Sequence, residues 1–368
     1  MSAAAGLEVS LHQQAPIPLA VDFACAPGEV LALVGPSGSG KSTILRSIAG
    51  IYRPAGGRVS VGGETWFDRA RGRHLATHRR AVGMVFQSYA LFPHMTALGN
   101  VVAALGHLEA DQRAGRGREL LDLVHLNDLY ERRPEELSGG QQQRVAVARA
   151  LAREPKALLL DEPFSAVDKA TRQRLYREIA VLRRSLNMPV VLVTHDLDEA
   201  AMLADRIAVL HRGRTLQTGT PEEITQRPLS AEVARLVDLR NVFEGTVAAG
   251  ANGGGVIDWA GLRLEVERLP AVAAGAEVSW VVPDGFVVLH RRDRPSRGEH
   301  ENPVPGSVES VLTIGQMAHI VLRPRHAPAL PLHFSVPLHV AHRNGIAPGV
   351  EATVSLLGEG IHAMPLQG

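Results

Sequence analysis

One octapeptide narrows the possible folds more than any other stretch of the chain. Gly35-Pro36-Ser37-Gly38-Ser39-Gly40-Lys41-Ser42 fits G-x-x-x-x-G-K-[ST]. It follows an apolar run, GEVLALVG over 28–35, and opens a helical pattern, KSTILRSIAG. The glycines let the backbone curl so that several N–H groups point at one phosphate chain. The N-terminus of the following helix adds its partial positive charge. In this context Lys41 is expected to reach the β- and γ-phosphates of a nucleotide, and Ser42 to ligate Mg²⁺.

The surrounding residues agree with a strand–loop–helix unit. AVGMVFQ (81–87), ALLLD (157–161) and VVLVT (190–194) read as buried strands between helical stretches such as GQQQRVAVARALARE. Buried apolar strands alternating with helices imply a mainly parallel sheet covered on both faces. RIAVLHRGRTLQTG (206–219) reads as a hairpin turning at Arg212-Gly213. Residues 99–150 carry helical patterns and no convincing strand, so a helical subdomain is expected over about 88–150. Past 240 the texture changes to short β-like runs, NVFEGTV, EVSWVVP, GFVVLH, AHIVLRP and EATVSLL, separated by Gly- and Pro-rich turns. These suggest small all-β barrels. HRRDRPSRGEHENPVPG (290–306) reads as a flexible loop dividing that region into two lobes. The expected organisation is an α/β P-loop NTPase cassette over 1–237 and a C-terminal all-β small-barrel region over 238–368.

Two further motifs narrow the chemistry, because a phosphate cradle alone fits a kinase, a GTPase or a motor ATPase. ALLLDEP (157–163) is a buried strand that ends in two carboxylates. The C-terminal end of a parallel strand is the ligand edge of such a sheet. There Asp161 fits a Mg²⁺-holding role, and Glu162 is placed to orient or deprotonate the attacking water. Leu137-Ser138-Gly139-Gly140-Gln141 precedes a helix and offers a second anion site of N–H groups and one hydroxyl. On spacing alone it also fits a plain N-cap.

In this order, GPSGSGKS, LSGGQQQR and LLLDEP resemble the ATP-binding-cassette ATPases, as do Gln87 in VFQ, Asp168 in SAVD and His195 in VTHD. The resemblance covers about residues 5–235. It implies ATP held by the cradle, Gly35 to Ser42 with Thr43, and Mg²⁺ held by Ser42, Gln87 and Asp161. It also implies that Gln87 senses the γ-phosphate and couples the site to a permease, and that His195 hydrogen-bonds the γ-phosphate. Ser138, Gly139, Gly140 and Gln141 would close over the ATP of a second copy, with Asp168 at the dimer seam. YALFPHMTALGNV (89–101) and the β-rich tail are similar to importers of molybdate, sulfate, iron, polyamines and sugars. WFDRARGRHLATHRRAVGMVFQ (66–87) and RNVFEGTV (240–247) are most like the molybdate and oxyanion types. Family members stack an aromatic ring on adenine from the N-terminal strand pair. LEVSLHQQAPIPLAV has no Phe, Tyr or Trp, which leaves His12 as the only flat ring. The tail also lacks an obvious Ser-Ala-Arg-Asn oxyanion signature, which weighs against direct anion binding there.

Composition limits the remaining choices. The 368 residues carry a net charge of +1, which gives no reason to expect nucleic acid as a partner. The cluster Arg69, Arg71, Arg73, Arg79 and Arg80 reads as a solvated surface stretch. One cysteine, Cys25, permits no intrachain disulfide and suits a reducing compartment. No window reaches the roughly 20 apolar residues of a membrane span, and the N-terminus does not read as a signal peptide. Any membrane role must therefore run through a partner, and the resemblance implies a second copy, two integral-membrane permease subunits and, indirectly, an extracytoplasmic solute-binding protein. The expected location is the cytoplasmic face of the inner membrane, held peripherally. His319, His326, His333, His339 and His342 are scattered through β-like runs and read as surface or packing residues. Two rivals stay open: a non-transport cassette ATPase, and an ATP-regulated oxyanion-binding module.

Overall fold

The computed structural model describes residues 6–164, 172, 176, 187–248, 255–291 and 301–366. The chain separates into two compact units, residues 1–221 and 222–368.

The first unit is built on one eleven-stranded sheet. In chain order its strands are β1 (Leu7–Gln13), β2 (Leu19–Cys25), β3 (Val30–Val34), β4 (Gly56–Val61), β5 (Glu64–Asp68), β6 (Arg73–His74), β7 (Val82–Val85), β8 (Ala157–Asp161), β9 (Val190–Thr194), β10 (Arg206–His211) and β11 (Arg214–Gly219). Their spatial order is β6-β5-β4-β1-β2-β11-β10-β3-β9-β8-β7. Only part of this sheet matches the expectation of a mainly parallel one. The run β10-β3-β9-β8-β7 is parallel, whereas β2, β1, β4, β5 and β6 pair antiparallel. Burial explains the difference. β3, β8 and β9 are buried at every residue, as strands covered on both faces must be, while β1 and β2 alternate buried and exposed. The β10–β11 hairpin turns at Arg212 and Gly213, both at positive φ (46° and 78°), the backbone a tight two-residue turn demands.

Helix α1 (Lys41–Ala49) buries Ile44, Leu45 and Ile48 in the core with Leu31, Leu33, Leu159 and Val193. Each such side chain contributes about 1.5–3 kcal/mol on burial. The end of α1 is held by Arg80, which donates to Ser47 O (2.8 Å), Ile48 O (2.6 Å) and Leu75 O (2.9 Å). Arg80 is 1% exposed, so it does not belong to the solvated cluster in which its sequence neighbours place it. A cation at the C-terminal carbonyls complements the helix dipole. Gly50 makes room for it: a Cβ there would stand 2.6 Å from Arg80 Nε.

Between β7 and β8 lie α2 (Ala97–Val102), α3 (Ala110–Leu123) and α4 (Gly139–Leu151), the expected helical segment. Thr96 caps α2 by accepting from Gly99 N. Asn100, fully buried, donates to Phe92 O and Thr96 O and accepts from Phe92 N, which pins the loop before α2. Helix α5 (Leu197–Leu203) follows β9.

The second unit begins within the short helix α6 (Pro221–Gln226) and includes α7 (Ala231–Leu236), so the boundary falls earlier than 237. Ten strands follow: β12 (Val242–Ala248), β13 (Gly255–Trp259), β14 (Leu262–Val266), β15 (Glu277–Val281), β16 (Val287–Leu289), β17 (Glu301–Ile314), β18 (Met317–Pro324), β19 (Leu332–Pro337), β20 (Glu351–Leu357) and β21 (His362–Pro365), with α8 (Leu338–Arg343) before β20. They form two five-stranded antiparallel sheets, β14-β13-β12-β15-β21 and β16-β20-β17-β18-β19. One core runs through both, centred on Phe243, Trp259 and Trp280, whose ring centroids lie 4.9–5.2 Å apart. The all-β, barrel-like reading holds, but with a shared core rather than two lobes.

The expected loop over 290–306 is shortened at its far end. Residues 301–306 belong to β17, and 292–300 lie outside the described residues. Pro303 and Pro305 sit at alternate positions opposite Ser355 and Thr353 of β20, and β18 pairs only from Gly306 onward. An unpaired strand edge tolerates residues without an N–H. Asn302 on β17 accepts from Glu265 N of β14 and donates to Glu265 O and to Leu356 O of β20, tying the two sheets together.

Candidate functional site

Four neighbouring parallel strands each end in one of the sequence motifs. The order β3-β9-β8-β7 puts the cradle after β3, His195 after β9, Asp161 and Glu162 at the end of β8, and Gln87 after β7. Parallel neighbours share one carboxyl edge, so residues far apart in sequence converge there.

The cradle itself is shaped for phosphate. Gly38 (φ 80°) and Gly40 (φ 95°) take left-handed backbone, and nothing lies within 4 Å of where a Cβ on Gly38 would stand. A Cβ on Gly35 would overlap Leu210 O. Ser39 Oγ is buried with no hydrogen-bond partner. Lys41, 5% exposed, donates to Gly35 O (2.6 Å) and Pro36 O (3.0 Å). Burial lowers the Lys41 pKa, and Glu162 and Asp161 oppose that shift. A desolvated ammonium and an orphaned hydroxyl beside a glycine-lined hollow match the donor requirements of an anionic phosphate chain.

Ser42 Oγ donates to Asp161 Oδ1 at 3.0 Å. Asp161 is 6% exposed, and burial raises its pKa while the Ser42 hydrogen bond and Arg46 lower it. A hydroxyl and a buried carboxylate side by side suit a hard divalent cation such as Mg²⁺. Glu162 gathers the other two motif residues: Gln87 Nε2 donates to its Oε2 at 3.2 Å, and His195 Nδ1 lies 3.5 Å from the same oxygen. Glu162 also sits at φ 44°, a left-handed conformation that costs a side-chain-bearing residue energy, and its N–H is held by Val193 O (3.0 Å). Its side chain is 22% exposed and that of His195 61%, so both remain open to an incoming group.

The structure does not bring every expected residue to this edge. Ser138 forms a capping box at the start of α4: its Oγ accepts from Gln141 N, and Gln141 Oε1 accepts from Ser138 N. Among the described residues, the side-chain hydrogen bonds of Ser138 stay within this turn. Asp168 lies outside the described residues. His12 is exposed on β1, and its ring packs over Gly56, where a Cβ would overlap it. Beside the cradle instead are Leu19 and Ile17, which approach a Cβ position on Gly40 to 3.0 and 4.0 Å. Ile17 carries no ring and so no signature of adenine stacking in the sequence. The usable signal was its place in the β1–β2 turn. Glu199 was also missed. It accepts from Thr194 Oγ1 (3.0 Å), while Thr194 Oγ1 accepts from Asp196 N and Asp196 Oδ1 accepts from Glu199 N (3.0 Å each), so a closed ring of bonds flanks His195.

Fold and site together define a P-loop ATPase of the cassette type. Residues 19–165 match the family model described as ABC transporter. A spermidine/putrescine import ATP-binding protein of Oleidesulfovibrio alaskensis is 40% identical over 82% of this chain and 80% of its own length. A sulfate/thiosulfate import ATP-binding protein of Chromobacterium violaceum is 40% identical over 92% of this chain and 88% of its own. A solved ATP-binding cassette, a dimer in a post-hydrolysis state with ADP and Pi bound, is 32% identical with a TM-score of 0.50, covering 58% of this chain and 98% of that one. The chain belongs to this family: it is an ATP-binding, ATP-hydrolysing subunit of the ABC importer group. Among the described residues no helix is long and apolar enough to cross a membrane, and no cluster of His, Cys, Asp and Glu could hold a metal ion on its own.

Proposed function

We propose that two copies of this chain sandwich two ATP molecules and drive two permease subunits on the cytoplasmic face of the inner membrane, importing an inorganic oxyanion such as molybdate or sulfate. The observation that carries the reading is the convergence of four motif-bearing strand ends on one sheet edge. Gly35 to Thr43 hold the phosphates, with Lys41 on the β- and γ-oxygens. Ser42 and Asp161, with Gln87, hold Mg²⁺, which neutralises phosphate charge when bound. Glu162 takes the proton of the attacking water or orients it. His195 hydrogen-bonds the γ-phosphate from the far side of Glu162. Ser138, Gly139, Gly140 and Gln141 complete the site of the other copy, and Asp168 lines the seam between them. Because half of each site comes from the partner, chemistry waits for closure, and closure is the motion delivered to the permease.

A groove of about 630 Å³ beside the Gln87 turn, lined in part by Met84, Phe86, Phe92, Ala104 and Arg149, supports a permease contact there. The oxyanion class is supported by the sulfate/thiosulfate relative, which matches over more of this chain than the polyamine relative does.

The test is Glu162→Gln. It preserves shape and removes the carboxylate, so ATP binding survives while steady-state hydrolysis falls by a factor on the order of 10² or more. Turnover near that of the unaltered protein would remove Glu162 from the role. Uptake of labelled molybdate, sulfate and putrescine by cells with and without the gene decides the substrate. Loss of putrescine uptake alone would overturn the oxyanion assignment.

A further inference from the structure

The turn that carries Gln87 toward Glu162 is held in an unfavourable shape. Tyr89 (φ 59°) and Ala90 (φ 47°) are consecutive side-chain-bearing residues in left-handed backbone. Each conformation is disfavoured by its Cβ, and two in succession need an external restraint. Tyr89 adds a second cost: it is 4% exposed, and its hydroxyl is buried without a hydrogen-bond partner. Local bonds, Tyr89 N to Phe86 O (2.8 Å) and Ala90 N to Ser88 O (2.6 Å), close the turn but leave its carbonyls pointing outward.

Both carbonyls are taken by one side chain. Arg149 Nη1 donates to Ala90 O at 2.7 Å and Nη2 to Tyr89 O at 2.9 Å. Its guanidinium carbon lies 5.6 Å from the centroid of the Phe92 ring, on the same loop. Arg149 is half-buried, and burial lowers its pKa. Arg149 belongs to the last turn of α4, the helix whose first turn is capped by Ser138. Ten residues of helix, about 15 Å at 1.5 Å per residue, therefore separate the Ser138 turn from the Gln87 turn on one rigid rod.

We infer that Arg149 is a positioning residue for Gln87: its forked guanidinium latches the Tyr89-Ala90 turn to α4 and so sets where the Gln87 amide stands relative to Glu162. The fork matters because two carbonyls must be gripped at once, and an ammonium offers no such planar pair of donors. The inference rests on the reading of Gln87 as a site residue, and the experiment separates the two.

The experiment measures ATP turnover by the full-length Arg149→Ala, Arg149→Lys and Gln87→Ala proteins and by the doubles that pair each Arg149 change with Gln87→Ala. Arg149→Ala is expected to lower kcat by about tenfold to a hundredfold, the scale of a misplaced catalytic group, with KM for ATP changed less than about twofold. Arg149→Lys, which keeps the cation and protects the fold if the alanine variant unfolds, should recover only part of that loss. Adding Gln87→Ala to either variant should lower kcat no further than Gln87→Ala does alone, because a latch acts only through the group it positions. Multiplying losses in the doubles would overturn the latch while leaving the role of Gln87 intact. So would unchanged kcat in both Arg149 variants, or a loss confined to KM. Full turnover in Gln87→Ala alone would overturn the reading beneath it.

Discussion

Replacing Glu199 by glutamine isolates one buried carboxyl next to His195. Glu199 lies in the first turn of α5 and is 5% exposed; Oε2 accepts from Thr194, and Oε1 is buried without a partner. Burial pushes its pKa from 4.5 up to about 7; Asp196 and Glu162 add to the shift, and Thr194 and Arg172 oppose it. Tyr176 faces the same group. In the unfolded chain the carboxyl releases its proton near 4.5, whereas the native state keeps it until about 7. Between those values the native state binds more protons than the unfolded state, so stability falls as pH rises and levels off above 7. At about 1.4 kcal/mol per tenfold change in acidity, the loss is roughly 3 kcal/mol. Glutamine keeps the shape and an oxygen for Thr194 but never ionises. Glu199→Gln should therefore match the unaltered protein at about pH 4.5 and exceed it by roughly 3 kcal/mol at about pH 8. Urea unfolding of both full-length proteins across that range, followed by far-ultraviolet circular dichroism, measures the difference. Parallel pH profiles, or a variant less stable at the alkaline end, would refute the reasoning.

Two further perturbations test particular contacts. Arg80→Met removes the donor to Ile48 O and Leu75 O, and one of two donors to Ser47 O, which Gly50 N also reaches, and should destabilise the first unit by about 2–4 kcal/mol in urea unfolding. A loss below about 1 kcal/mol would show that water replaces the guanidinium. Ile17→Trp sets a flat ring beside Gly40 and should tighten a fluorescent ATP analogue by about 0.5–1.5 kcal/mol, while His12→Ala leaves its affinity unchanged. Weaker binding in His12→Ala alone would put the adenine against β1.

The residues assigned to phosphate were legible because each sits in a short contiguous motif whose chemistry needs its neighbours. The cradle must be Gly-rich and must join a strand to a helix, and Asp161-Glu162 must end a fully buried strand. Arg80 was not legible, and the reason is physical. Its sequence neighbours Arg69, Arg71, Arg73 and Arg79 are all exposed, and nothing local distinguishes it from them. Its burial depends on the missing side chain of Gly50, thirty positions upstream, and on the end of α1 lying open there. His12 is the flat ring of this segment, yet the structure sets it over Gly56 and places Ile17 beside Gly40, so its part in adenine binding rests on the His12→Ala measurement. The antiparallel half of the sheet had a signal that was passed over, the strict alternation of LEVSLHQ and LAVDFAC. Pro303 and Pro305 hid the start of β17, because a proline argues against a strand until one knows that the edge beside it is free.

Some of the first unit's local costs lie where its motifs converge, while others, such as the left-handed His125, Asp128 and Glu154, lie elsewhere. Glu162, Tyr89 and Ala90 hold left-handed backbone without being glycine, Ser39 Oγ and Tyr89 Oη are buried without hydrogen bonds, and Glu199 keeps a carboxyl out of water. These features lie in or beside the segments that follow β3, β7, β8 and β9. The core behind them obeys ordinary rules, with β3, β8 and β9 fully buried and α1 laid on apolar side chains. A well-packed core can hold a few strained residues at a total cost of several kcal/mol, and a site built from such residues has more than one arrangement within reach. The second unit carries a different cost. The indole N–H groups of Trp259 and Trp280 and Nε2 of His326 are buried without hydrogen bonds. Trp259 meets Trp280 and His326 edge-to-face, at interplanar angles of 81° and 84°, a geometry in which an indole edge faces a π surface. That arrangement packs the indole rings into the core shared by both sheets. The strain beside the cradle, by contrast, borders exposed side chains that an incoming nucleotide can engage.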